Sequence, residues 1–337
     1  MGRTKSKGIV LRTRIVIVVA TLSVLLAGCN AAGKRTSKAD RALLTVDFEP
    51  GQTLRYRFVS YRDILLDWDP DALPAGSKVQ RQSERVEMVV AYTPEAVDPY
   101  GVSTVRATCE SVEIRRTGRP SGRGLRSDAV KAAQGETFTL RVDSRGRMVD
   151  ASELEKLIQK LGAAAFRSGG RVKEPDMVGD FIASQWFLWD TVSSIENPAV
   201  GVAVGQSWRS KLWTPVPMVV RKARDVTYRL DEIRQTDAGR EAVITSTFGL
   251  AEKAPSGWPV PYAGRFQMSG TFGFLGAYQV LGLEGTGQER FNIDAGRIEA
   301  AEQKYTLRMK ASLPPMGLRA NPYITIEQTL TTEWLAP

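Results

Sequence analysis

The sequence contains no histidine. That excludes triads built on imidazole, histidine metal ligands and imidazole general bases. Carboxylate, lysine and serine chemistry stays open, but the commonest catalytic sets are missing. Cysteine is scarce: Cys29 and Cys109 are the only two. No glycine-rich phosphate loop, nucleophile elbow or paired-cysteine metal motif is present. The main apolar run, Ile15 to Leu26, is interrupted by Thr21 and Ser23. It is too short to cross a bilayer comfortably, since a spanning helix needs roughly 20 apolar residues.

What the amino terminus does have is order. Arg3, Lys5, Lys7, Arg12 and Arg14 come first, with no acid among them. The apolar run follows, and Ala27, Gly28 and Cys29 end it. A basic start, a short apolar middle and a small-residue exit make a secretory signal over residues 1–28. More than half of the net charge of +9 sits in that signal, so the remainder is only mildly basic. Part of what is left lies in Lys34, Arg35, Lys38 and Arg41, in a polar tether over residues 29–43 that fits weak attraction to anionic headgroups or simple solvation. No motif interleaving aromatic and basic residues for nucleic-acid binding is present.

Leu26-Ala27-Gly28-Cys29 resembles the lipobox of bacterial lipoproteins at every position. The resemblance implies diacylation of the Cys29 thiol, cleavage between Gly28 and Cys29, and a body held on a membrane facing the periplasm or the cell exterior. Each buried CH₂ contributes about 0.8 kcal/mol, so two or three chains anchor durably. Asn30 stands where some enteric lipoproteins carry an inner-membrane retention aspartate, which favours the outer membrane where one exists. With Cys29 acylated, Cys109 has no disulfide partner, and its strand-like surroundings, Val105 to Cys109, point to a buried, inert thiol.

Beyond the tether the grammar is that of strands. Leu44-Thr-Val46-Asp-Phe48 alternates, as do Leu54 to Phe58, Val86 to Tyr92, residues 102–116 and Thr137 to Val142, the two-residue period of half-buried strands. Leu154, Leu157, Ile158 and Leu161 then stand at helical spacing, with Ser152 and Glu155 as a capping box. The pattern predicts a helix over residues 151–167 and a second, more apolar one from Asp176 to Ser194, stopped by Asn197-Pro198. From Val204 alternation returns, over 207–213, 225–234, 240–250, 264–275, 277–293, 297–312 and 323–335. The organisation expected is a first β-unit over residues 44–150, a helical segment over 151–198 and a second β-unit over 199–337.

The two β-units echo one another. Gly51-Gln-Thr-Leu resembles Gly205-Gln-Ser-Trp, and the Gly146-Arg hairpin resembles Gly296-Arg. The expected fold is mainly β (α+β): a strongly curved antiparallel sheet or unclosed barrel with one or two helices packed on it. The layout resembles β-rich envelope lipoproteins. In architecture alone it is similar to periplasmic lipid-carrier lipoproteins, which have an unclosed barrel with helices across its mouth. Glycines between Gly264 and Gly287 fit close packing or curvature of long strands. Asp67, Asp69 and Asp71 lack the register of a calcium loop, so no metal and no cofactor is expected.

Two functional readings follow, neither enzymatic. In the first, an apolar ligand such as a lipid is bound or carried in a cavity between sheet and helices, lined by Phe181, Trp186, Trp189, Trp213 and Trp258. In the second, the protein is an envelope scaffold that docks partner proteins and has no ligand. An enzyme would require a cleft with two convergent carboxylates, one of raised pKa.

Overall fold

The structure, a computed structural model, describes residues 41–68, 79–118, 128–167, 171–172, 177–215, 222–254, 258–261, 267–268, 278–312 and 321–337. The signal, Cys29 and the tether to residue 40 lie outside the described residues, as do Asp69, Asp71 and most of the Gly- and Arg-rich loop after Arg116.

The strands are β1 (Arg41–Ala42), β2 (Leu54–Asp67), β3 (Val79–Val97), β4 (Ser103–Thr117), β5 (Thr137–Val142), β6 (Met148–Asp150), β7 (Phe166–Arg167), β8 (Arg171–Val172), β9 (Val202–Ala203), β10 (Ser207–Trp213), β11 (Ala223–Thr236), β12 (Gly239–Leu250), β13 (Gln267–Met268), β14 (Tyr278–Asn292), β15 (Arg297–Ala311) and β16 (Tyr323–Leu335). Eleven of them form one antiparallel sheet in the order β10-β11-β12-β14-β15-β16-β2-β3-β4-β5-β6. The chain lays down two meanders that meet where β16 pairs with β2, Ile326 opposite Ile64. Residues 41–337 form a single compact unit, so both expected β-units share one sheet. Among the described residues the sheet is mainly β and is not closed into a barrel, since β10 and β6 do not pair.

Alternation sets the burial. In β2 the even-numbered residues Leu54, Tyr56, Phe58, Ile64 and Leu66 are buried with Val86, Met88 and Val90 of β3. Each such side chain contributes about 2 kcal/mol on leaving water. One contiguous core runs under both meanders and both helices. Cys109 belongs to it, and burial pushes its thiol up to about 12.

The Leu44–Phe48 stretch departs from expectation. It alternates between buried and exposed but joins no ladder. Instead the Val46 N–H donates to Ser144 O at 2.9 Å, in the β5–β6 turn, and the Asp47 N–H donates to Gly296 O at 3.0 Å, in the β14–β15 turn. Five strand spacings separate β15 from β5, about 24 Å on a flat sheet. One dipeptide reaches both turns, so the sheet bends between them. Gly285 and Gly287 of β14 help: a Cβ would lie 2.2 Å from Lys304 O at the first and 2.6 Å from Ser246 Oγ at the second.

The echoed glycines occupy matching places. Gly51 (φ +84°) and Gly205 (φ +85°) each precede the opening strand of a meander. Gly146 (φ +73°) and Gly296 (φ +59°) each turn the hairpin after its fourth sheet strand.

The first helix, α1 (Ser152–Ala165), buries the expected Leu154, Leu157, Ile158 and Leu161. Its cap is not the expected Ser152 box. Asp150 Oδ1 accepts from the Ser152 N–H at 2.9 Å, so Ser152 is already the first helical residue. The expected second helix is two pieces, α2 (Val178–Trp186) and α3 (Asp190–Ser193), parted by a turn at Phe187–Trp189. The break follows from side-chain demand: Asp190 is drawn to the sheet by Tyr228 and Ser210.

Candidate functional site

Period two, continued past the apolar part of β2, carries Ser60 and Arg62 onto the buried face, and in β3 it carries Gln82 and Glu84 there. These polar groups receive α2. Asp180 accepts from Ser60 Oγ at 2.5 Å, from Arg62 Nη1 at 3.1 Å and from Gln328 Nε2 at 3.3 Å. Arg62 Nε donates to Glu84 at 2.7 Å, and Arg116 links Glu84 to Asp128. A second set receives α3. Asp190 accepts from Tyr228 Oη at 2.8 Å and Ser210 Oγ at 2.9 Å, Thr191 Oγ1 donates to Glu289 at 2.7 Å, and the Trp208 indole donates to Thr191 O at 2.9 Å.

Between the two sets lies a small, partly open pocket of about 50 Å³, whose walls include Ser60, Asp180, Thr191, Arg224 and Glu289. Burial pushes Glu289 up to about 8, Asp190 up to about 6 and Asp180 above the ordinary carboxylate range. Arg224 is buried between the rings of Phe248 and Tyr305, 4.7 Å from each centroid. Two carboxylates of raised pKa, Asp180 and Glu289, thus line one small pocket. Its volume admits a few water molecules, and the partners of its carboxylates tie helix to sheet.

The larger space is a groove of about 290 Å³ lined by Gly146, Arg147, Met148, Trp186, Phe187, Trp189, Asp190, Ser193, Lys211 and Trp258. Met148 belongs to β6 and Lys211 to β10, the two outer strands of the sheet. The groove therefore lies where the sheet edges come together beside the α2–α3 turn.

The five aromatic residues singled out from sequence fall into different places. Phe181 is fully buried and packs edge-on to Phe138, 6.5 Å between centroids. Trp189 is buried against Phe48 and Tyr92 at 5.6 and 5.8 Å and shows one edge to the groove. Trp186 and Trp258 are half-buried in the groove walls. Trp213 is buried behind Trp258, 6.3 Å between centroids, and Phe187 meets Trp258 at 6.2 Å. Trp186, Trp189, Trp213 and Trp258 thus share one neighbourhood, and Phe181 does not.

Two placements had no sequence signal strong enough to single them out. Gly162 on α1 lets the segment after Trp258 come close, since a Cβ there would lie 1.7 Å from Pro261 O. Arg147 and Lys211 supply the groove's cations and are brought together only by the approach of the sheet edges. Among the described residues no group of cysteines and acids is arranged for a metal, and no helix is long and apolar enough to cross a membrane.

No family model and no curated protein matches the sequence. One similar solved chain comes from a structure of lipid–protein interactions in lipovitellin. The similarity covers 86% of this chain and 26% of that one, at 12% identity and a TM-score of 0.41. This chain therefore spans about a quarter of that chain's length. At that level the functional reading rests on the residues of the groove themselves.

Proposed function

We propose that the protein is a lipid-anchored cell-envelope protein without enzymatic activity, which binds a partly apolar ligand in the groove between its sheet edges. The observation that carries this reading is the groove lining, where Trp186, Phe187, Trp189, Trp258 and Met148 stand beside the polar groups of Arg147, Asp190, Ser193 and Lys211. A concave site that combines aromatic side chains with placed polar groups suits a ligand that is itself part apolar and part polar. The lipobox at Leu26 to Cys29 supports the anchor, and the basic signal ahead of it supports export.

Native mass spectrometry of the protein extracted from its own host tests the ligand. The expected result is an added mass of one small amphipathic molecule per chain, lost in a variant carrying Trp186→Ala and Trp258→Ala. A wild-type chain with no added mass beyond its N-terminal acyl groups would overturn the reading.

A further inference from the structure

We infer that the groove takes a single-chain anionic amphiphile, its carboxylate or phosphate held between Arg147 and Lys211 and its chain laid against Trp186, Phe187 and Trp258. The inference rests on the groove being the ligand seat and adds the charge and form of the ligand.

The groove's charges point to an anion. Arg147 reaches in from the β5–β6 turn. Its Nε donates only a long 3.5 Å bond to Ser193 O, and no described carboxylate pairs with it. Lys211 reaches in from β10, and its ammonium meets Asp225 at 2.9 Å. That pair is exposed, 36% for Lys211 and 56% for Asp225, and an exposed pair contributes about 0–1 kcal/mol. An arriving anion can therefore take over the ammonium at little cost.

The one carboxylate in the lining, Asp190, is already satisfied by Tyr228 and Ser210.

The form of the ligand follows from the other walls. Phe187 and Trp258 pack together in the lining, backed by Trp213 behind Trp258, and Met148 adds an adaptable apolar contact. The mouth is open, so a charged head at the rim keeps part of its hydration while accepting charge-assisted hydrogen bonds. A wholly apolar ligand would leave both cations unused, and a purely ionic one would leave the aromatic lining wet.

The test uses the full chain carrying Cys29→Ser, which removes the acyl groups and keeps the folded body. Dodecanoate and dodecanol, each below its aggregation threshold, are titrated against tryptophan fluorescence and by calorimetry, with inorganic phosphate as the headgroup alone. Hydrogen bonds to charged groups are worth about 1.5–3 kcal/mol, so dodecanoate is expected to bind roughly ten- to a hundredfold tighter than dodecanol. Arg147→Gln with Lys211→Gln, both at the surface, should bring the two to near equality without changing the thermal midpoint. Phosphate alone should not bind measurably.

Equal affinity of dodecanol and dodecanoate for the unsubstituted groove would overturn the anionic assignment while leaving the groove as an apolar site. Tight binding of phosphate alone would overturn the amphiphile. Failure of both twelve-carbon ligands to bind a chain that melts cooperatively would remove the groove reading as well.

Discussion

Glu289 is buried at the boundary between α3 and the sheet, with one oxygen bonded to Thr191 and the other without a partner among the described residues. Burial raises its pKa from 4.5 to about 8. A carboxyl with a raised folded pKa binds more protons folded than unfolded, so its stabilising share is full below 4.5 and is lost as pH climbs through about 8. Asp190 acts in the same direction between 3.8 and about 6. Urea unfolding should therefore show stability falling between pH 4.5 and 8. Glu289→Gln should leave stability at pH 4 unchanged and raise it at pH 8 by an amount on the order of several kcal/mol, at about 1.4 kcal/mol per pKa unit. Asp180 gives the opposite test. Asp180→Ala strips Arg62, itself fully buried, of one of its two carboxylates, and breaking a buried pair costs about 3–5 kcal/mol. These inward polar groups were legible in principle, because the two-residue period that buries Leu54 and Tyr56 also buries Ser60 and Arg62. Sequence alone did not say which distant carboxylate would meet them.

Among elements, the extended segment from Leu44 to Phe48 holds two hairpins that lie far apart along the sheet. Gly296 makes the contact feasible: it has φ +59°, and a Cβ there would sit 2.5 Å from Asp47 N. Gly51 has φ +84° but nothing within 4 Å. Gly51→Ala should therefore cost only its backbone strain, about 1 kcal/mol. Gly296→Ala should cost clearly more and release residues 44–48, which limited proteolysis would show as early cleavage there. Strand existence was well foreshadowed by sequence, β10 at 207–213 being a case where pattern and structure coincide. Residues 44–48 show the limit of that signal. Alternation reports that one face is buried, and it does not report whether the backbone pairs. The broken helix is a similar case: the apolar pattern through Phe187 and Trp189 continues, but Asp190 finds its partners on β10 and β11 and the backbone bends to supply them.

For the whole molecule, the proposal joins an anchor at one end to a groove made by the two edges of an open sheet. Cys29→Ser should abolish incorporation of labelled fatty acid into the chain, while its thermal midpoint stays unchanged. The groove was the least legible feature, because Arg147, Lys211 and Trp258 are far apart in sequence and meet only when both sheet edges are in place. The tryptophans were visible as candidates, but nothing in their spacing separated Phe181, which packs in the core, from Trp186 and Trp258, which face the groove. The most direct measurement is a crystal structure of the Cys29→Ser chain grown with 12-bromododecanoate and read by bromine anomalous scattering. The account predicts a bromine peak along the Trp186–Phe187–Trp258 wall with carboxylate density beside Arg147 and Lys211. A bound chain located elsewhere, or a groove without density at saturating ligand, would contradict it.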